Sequence, residues 1–358
     1  MTIGSDLDAA LAAQSAAVAA QSARIDALAA SVSALSGKVD ALGTTPPVTP
    51  PVVPPVVPPV ATPAGVTNAT PFTGLWKTKT PATIASNAAK TSAFRSYVCN
   101  VWVNCQSYSV PVFVATTADP LVTITQPYGR PSVTAHVPAT AVPAAGTDSN
   151  MAIIQPDGTT VDIWTAKWTN ATTIASGRVN QTSLSGSGFG PQAGIRASGA
   201  NTLGGLIRIE DITAGVIGHA LAMAVPSPML YWDGVSHYAD YTPDGYGTVK
   251  GYVPPATEED YTAEYAYKGV VPMGSRVVLP RSVSIDSLGL NASERMIAVA
   301  LQEYGAYILD STGTGGSISF YAETAVNTQQ NAWLTAAYGT SWGAQGLNKI
   351  RQNLVITA

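Results

Sequence analysis

Charge is what this chain has least of. Lys, Arg, Asp and Glu make up 11% of its 358 residues, against about a quarter in an ordinary globular protein. Alongside 46% hydrophobic residues, so little charge excludes a disordered polyelectrolyte. The 18 Lys and Arg are spread thinly and the formal net charge is −4. No basic stripe can therefore neutralise a run of phosphates, and no nucleic-acid partner is expected. Long apolar runs are missing too, and Met1 to Asp6 hold no basic segment leading into an apolar one. Neither membrane insertion nor a cleavable signal is expected. Two cysteines, Cys99 and Cys105, are too few for a disulfide scaffold or a zinc quartet. They leave either one small closed loop or two buried thiols.

Glycine and proline are plentiful, at 32 and 26 residues, and mark a turn-rich, β-rich globular class. The length allows two domains or one large one. Residues 1–45 carry the clearest pattern. Leu11, Val18, Ile25, Val32 and Val39 fall at one heptad position; Leu7, Leu28, Leu35 and Leu42 fall at the other, interrupted by Gln14 and Gln21. This spacing predicts an α-helical coiled-coil stalk. The stripe is narrower than that of a helix packed on its own globular domain. β-branched residues at the first position with Leu at the second favour a dimer. Small Ala17, Ser22, Ala29, Ser31 and Ser36 beside the seam leave room for a third helix, and of the two a homotrimer is preferred. Residues 46–65 form a proline-rich linker, where repeated Pro-Pro-Val-Val removes helix and sheet donors and sets polyproline II. The stretch 46–63 would extend on the order of 50 Å as a semi-rigid spacer.

Residues 66–358 read as one β-rich head, an antiparallel β-sandwich or jelly roll of short strands with a few helices. Runs at 109–114, 121–125, 133–137, 151–154 and 161–164 alternate or are β-branched, and are separated by Asp-Pro, Pro-Tyr-Gly and Pro-Asp-Gly turns,. Asn291 with Glu294 three residues on predicts a capped helix bearing Met296, Ile297, Ala300, Leu301 and Tyr304 on one face. Two strands, 306–309 and 317–321, are expected to be joined across Thr312 to Gly316.

Residues 231–267 hold eight of the 15 tyrosines and Trp232. Trp232, Asp233, Tyr238, Tyr241, Asp244 and Tyr246 interleave rings with carboxylates at Asp-Gly turns, the chemistry of a loop that stacks on sugars and accepts hydroxyl hydrogen bonds. The same residues suit protein contact or packing at the rim of a sandwich core. No catalytic residue, cofactor site or metal site is assigned. His136 lies in a strand-like run and His219 in an apolar one, a setting for core histidines. Asp148, Asp157, Asp162, Glu210 and Asp211 could supply a glycosidase pair, but sequence spacing does not fix their separation. Gly186-Ser187-Gly188-Phe189-Gly190 completes no phosphate fingerprint and reads as a mobile loop. Asp240 and Asp244 lack the spacing of an EF-hand.

A heptad stalk, a proline rod and a β-rich head together resemble a bacteriophage tail fibre or minor tail protein. The Ala/Thr/Pro/Gly-rich composition is similar to that of tail proteins from phages of actinobacteria. Within the head, Gly205-Leu206-Ile207-Arg208-Ile209-Glu210-Asp211-Ile212, His219-Ala220-Leu221 and the segment from Ala300 to Tyr307 resemble a poorly characterised extracellular β-sandwich family of actinobacteria and their phages. The resemblance implies a virion protein attached to other tail proteins through its N-terminal region, with heads that contact host cell-envelope glycan. A glycosidase or polysaccharide lyase using His219, His136 or the named carboxylates is the alternative, and a purely structural tail protein a third.

Overall fold

A computed structural model describes residues 72–105, 107–190, 193–233, 251–260, 262–324, 328–338 and 346–357. All belong to the second of the two units into which the chain divides, Met1–Val60 and Ala61–Ala358. The stalk and linker predicted for 1–65, and Tyr238, Tyr241, Asp244 and Tyr246, lie outside the described residues.

In chain order the described strands are β1 (Val101–Asn104), β2 (Val112–Val114), β3 (Leu121–Thr125), β4 (Val133–His136), β5 (Met151–Ile154), β6 (Thr159–Trp164) and β7 (Lys167–Asn170). They continue with β8 (Thr173–Ala175), β9 (Arg178–Ser183), β10 (Leu221–Val225), β11 (Arg276–Val278), β12 (Ala306–Ser311), β13 (Ile318–Tyr321) and β14 (Val355–Ile356). The helices are α1 (Ala88–Ser96), α2 (Ile209–Ala214), α3 (Ala263–Ala266), α4 (Ala292–Glu303), α5 (Thr328–Tyr338) and α6 (Gly346–Arg351). The protein is mainly β. One sheet runs β1-β13-β10-β12-β11-β14, a second β2-β5-β6-β9 and a third β4-β3-β8-β7.

Residue alternation explains how the sheets stack. Along β5, Met151 and Ile153 enter a core shared with Val122 and Ile124 of β3 and Ile174 of β8. Their neighbours Ala152 and Ile154 enter another core with Ala222, Ala224, Tyr307 and Leu309 of the six-stranded sheet. A strand buried on both faces reads as a continuous apolar run, and β5 is apolar at every position. Strand β10 does the same with sizes sorted. Leu221, Met223 and Val225 face α1, α4, α5 and α6, while small Ala222 and Ala224 face the middle sheet. The layers are therefore outer sheet, middle sheet, six-stranded sheet and helices.

Strands appear at each predicted run, and α4 carries the expected Asn291–Glu294 capping box. One expectation needs correction. All three sheets are mixed, because β1–β13, β2–β5, β3–β8 and β10–β12 pair in parallel: the chain leaves a sheet for another layer and returns in the same direction. Strands β12 and β13 follow one another across the expected loop, with β10 between them in the sheet.

Residues 193–208 pass between the middle and six-stranded sheets as irregular chain buried at every position. Buried backbone must find partners. Ser198 N–H donates to Leu309 O at 3.1 Å and Ile207 N–H to Tyr321 O at 2.9 Å, while Asn201 Nδ2 donates to Ala193 O at 3.0 Å. Asp162, on the face of β6 turned away from Val161 and Ile163, accepts from Thr202 N–H at 2.9 Å, from Ile195 N–H at 3.3 Å and from the Thr202 hydroxyl.

Candidate functional site

The carboxylates of greatest chemical interest come from separate parts of the chain. Asp310 closes the apolar run of β12, Asp148 precedes β5, and Asp260 comes from the segment before α3. All three are half-buried. Arg196 of the buried segment lies over the Tyr321 ring, 3.7 Å from its centroid, and 3.8 Å from Asp310 Oδ2. Its Nη2 also donates to Thr202 O at 3.2 Å. Tyr267 donates its hydroxyl to Asp260 Oδ2 at 2.9 Å. Glu258 pairs with buried Arg178 at 2.7 Å.

The three aspartates feel one another. Burial pushes Asp310 up to about 7; the charge of Asp260 adds to the rise, Arg196 opposes it and Asp148 adds a little more. Burial also raises Asp260, with the Tyr267 hydrogen bond opposing and Asp148 and Glu258 reinforcing. Asp148 is raised by burial against a hydrogen bond from Trp164. The phenols of Tyr267 and Tyr321 are held well above their ordinary range, first by burial and then by Asp260 and Asp310 respectively. At neutral pH they are donors. A quarter of the Asp310 side chain remains accessible, so the cluster is open to solvent. It therefore presents half-buried carboxyls, one of them near half-protonation, with the buried side chains of Tyr267, Tyr321 and Arg196 packed behind them. Like charges held this way cost folding energy, and such an arrangement is typical of functional sites.

A cleft of about 630 Å³ lies between the β3–β4 turn, β9 and Phe189, Gly190 and Ala193, lined also by Gln126, Arg130, Asn180, Gln181 and Thr182. Arg130 links the two regions electrostatically, since its charge favours ionised Glu258, which in turn repels Asp260.

The residues singled out from sequence are dispersed. Asp162 is fully buried and held at about 6, burial outweighing its donors and Arg196; it organises the buried segment. Asp157 is a turn residue, its Oδ1 accepting from Thr159 N–H at 2.9 Å and from the Thr159 hydroxyl at 2.7 Å. His136 lies on β4, with Nδ1 2.7 Å from Asp119 O. Glu210, Asp211 and His219 belong to a different, closed network. His219 has no exposed surface; its Nε2 is 3.2 Å from Asp211 Oδ2 and its Nδ1 2.8 Å from Ala220 O. Arg208 meets Glu323 at 2.9 Å and Glu210 at 3.4 Å, and its N–H donates to Asp211 at 2.9 Å. A polymer cannot reach a sealed His219, so this network braces β13 against α2. Residues 186–190, expected to be mobile, are packed: Trp76 Nε1 donates to Ser187 O at 2.7 Å, and Phe189 stacks on Trp76 at 4.9 Å.

Within the aromatic segment, Trp232 is half-buried against the helical core with the Lys268 ammonium 5.5 Å from its ring centroid, and Asp233 is half-buried. Tyr265 is 66% exposed whereas Tyr267 is buried. Both cysteines are free thiols. Among the described residues no trio of His, Cys, Asp or Glu is placed to ligate a metal, and no helix is long and apolar enough to cross a membrane. Sequence reasoning missed Arg196, Asp260, Asp310, Tyr267 and Tyr321 as a group. The one available signal was Asp310 ending an apolar strand, and Asp260 and Tyr267 falling inside the tyrosine-rich segment. No family model matches the chain, and no curated protein or solved structure matches it either.

Proposed function

We propose that this chain is a receptor-binding tail-fibre protein of a phage virion. Residues 1–45 form its trimeric coiled-coil stalk and 46–65 its polyproline spacer. The β-sandwich-like head binds host-envelope glycan at Asp148, Asp260 and Asp310. The observation that carries the glycan reading is three half-buried carboxyls that raise one another's proton affinity, with Tyr267, Tyr321 and Arg196 packed behind them. Sugars present rows of hydroxyl groups, and carboxyl oxygens held in place accept hydrogen bonds from them. Trp232, Asp233, Tyr238, Tyr241, Asp244 and Tyr246, which share the tyrosine-rich stretch of sequence with Asp260 and Tyr267, are proposed as further stacking and hydrogen-bonding groups. Pull-down of purified host-envelope polysaccharide by the full-length chain tests the reading. Asp260→Asn and Tyr267→Phe each weaken binding by about 1–3 kcal/mol while leaving the folded head intact. Undiminished binding by both folded variants would falsify the assignment of this site.

One observation favours a second reading, hydrolysis at the same place. A carboxyl poised at about 7 can protonate a glycosidic oxygen, the general-acid half of a two-carboxyl hydrolysis. Release of reducing ends from the bound polysaccharide, abolished in Asp310→Asn, marks this reading; binding without product marks the first.

A further inference from the structure

The helical side of the six-stranded sheet carries a second cavity, chemically the opposite of the acid site. It measures about 350 Å³ and lies where α1 ends, where residues 97–100 lead into β1 and where α6 ends. Arg95, Lys349 and Arg351 line it with Cys99, and neither Asp nor Glu is among its lining residues. In a chain of net charge −4, three cations around one cavity without a carboxylate need a reason.

Their hydrogen bonds supply no counter-charge. Arg95 Nε donates to Leu354 O at 2.7 Å and Lys349 Nζ to Leu288 O at 3.1 Å. Arg351 donates to Cys99 O at 2.9 Å, to Phe94 O at 2.7 Å and to Tyr97 O. Every acceptor is a backbone carbonyl. Arg351 is buried, and its Nε has no partner. Burial pulls its pKa down, whereas the carboxylates around equally buried Arg208 push that group up. A buried cation without an anion is costly. Capping the carbonyls at the end of α1 accounts for Arg351, but not for Arg95 and Lys349 converging on the same cavity.

We propose that this cavity binds a phosphate-type oxyanion. Arg95 and Lys349 contact it at the rim, and Arg351 supplies charge from the wall. The site is independent of the glycan site and of the function proposed for it. The phosphate could be a free ion or part of a polymer, and both present the same charged oxygens to charge-assisted donors.

Cys99 reports occupancy because it lines the cavity. Burial raises its thiol and Arg351 pulls it back, so a bound anion would both cover the sulfur and cancel the help from Arg351. The full-length chain is treated with an aromatic disulfide reagent at constant ionic strength, with inorganic phosphate, glycerol 3-phosphate or a glycerophosphodiester added against sodium chloride. Saturable slowing of Cys99 by several-fold is expected, with buried Cys105 unchanged. Saturation by the diester assigns a polymer phosphate; saturation by inorganic phosphate alone assigns the free ion. Lys349 is exposed, so Lys349→Glu keeps the fold and should raise the half-saturating concentration about tenfold or more, as should Arg95→Gln. No saturable protection by any of the three probes, or protection undiminished in Lys349→Glu, overturns the proposal.

Discussion

Asp310 and Asp162 are both aspartates raised by burial, yet their substitution should act in opposite directions. For Asp310, the unfolded chain loses its proton near the ordinary value of 3.8 and the folded chain only near 7. Below that window both states are protonated, so no penalty exists. Stability falls as pH rises through the window, and the penalty is complete by pH 8. Asp310→Asn removes the charge and should raise stability at pH 8 by about 1–2 kcal/mol, while flattening the decline between pH 4 and 7. Thermal melting across pH 4–8 checks both; an equal or steeper decline in the variant would contradict the assignment. Glu303, held at about 2 by Arg281 and Lys79, keeps its stabilising contribution at higher pH and loses it only as pH falls from about 4.5 toward 2. Asp162 instead accepts from Ile195 N–H, Thr202 N–H and the Thr202 hydroxyl. An amide in its place offers one acceptor oxygen and strands buried donors, so Asp162→Asn should destabilise by about 2–3 kcal/mol. A stabilised Asp162→Asn protein would show that charge burial outweighs those bonds.

The elements that could be read from sequence are those whose information is local. Alternation and turn residues place β3, β5 and β6, and Asn291 with Glu294 places α4, because a strand face or a capping box is complete within a few residues. What remained hidden depends on distant partners. The buried segment 193–208 is rich in Gly and Ala and carries no periodicity of its own, since its polar backbone is satisfied only after Asp162, Asn180, Leu309 and Tyr321 arrive from other elements. Parallel pairing was invisible for the same reason. The acid site inherits this, as Asp148, Asp260 and Asp310 become neighbours only through the sheet stacking. The close fit of the segment also gives it a sensitive point. A Cβ at Gly194 would land on the Ala200 carbonyl and the Asn201 Cα, backbone atoms that cannot swing aside. Gly194→Ala should therefore lower stability by about 3 kcal/mol or more, within the severe tail for single substitutions. It should weaken the acid site as well, because Arg196 lies two residues on. A folded Gly194→Ala head with unchanged melting would mean that the segment relaxes freely.

At the scale of the molecule, the stalk and the head are proposed to work through number. Heptads from Leu7 to Leu42 predict association, and a site made of hydrogen bonds to sugar hydroxyls is expected to be weak singly. Three heads on one stalk turn the second and third contacts into intramolecular events, with avidity gains of about 10²–10⁴ when the spacer lets them engage together. A spacer of the polyproline type favours this by holding heads apart without collapsing. The strand number decides the arithmetic, and light scattering reads it directly. The full-length chain should scatter as a trimer and residues 66–358 as a monomer, with binding to a polysaccharide-coated surface persisting far longer for the trimer than for the isolated head. A dimer would mean that β-branched and Leu packing at the seam outweighs the small flanking residues, and the avidity gain would shrink accordingly. A monomeric full-length chain would remove the stalk's function and with it the multivalent reading. Replacing Gln14 and Gln21 together by Leu should raise the melting temperature of the stalk while allowing more than one strand number, since polar seam residues trade stability for register; a single sharp oligomer in that variant would show that the flanking residues, and not the glutamines, set the number.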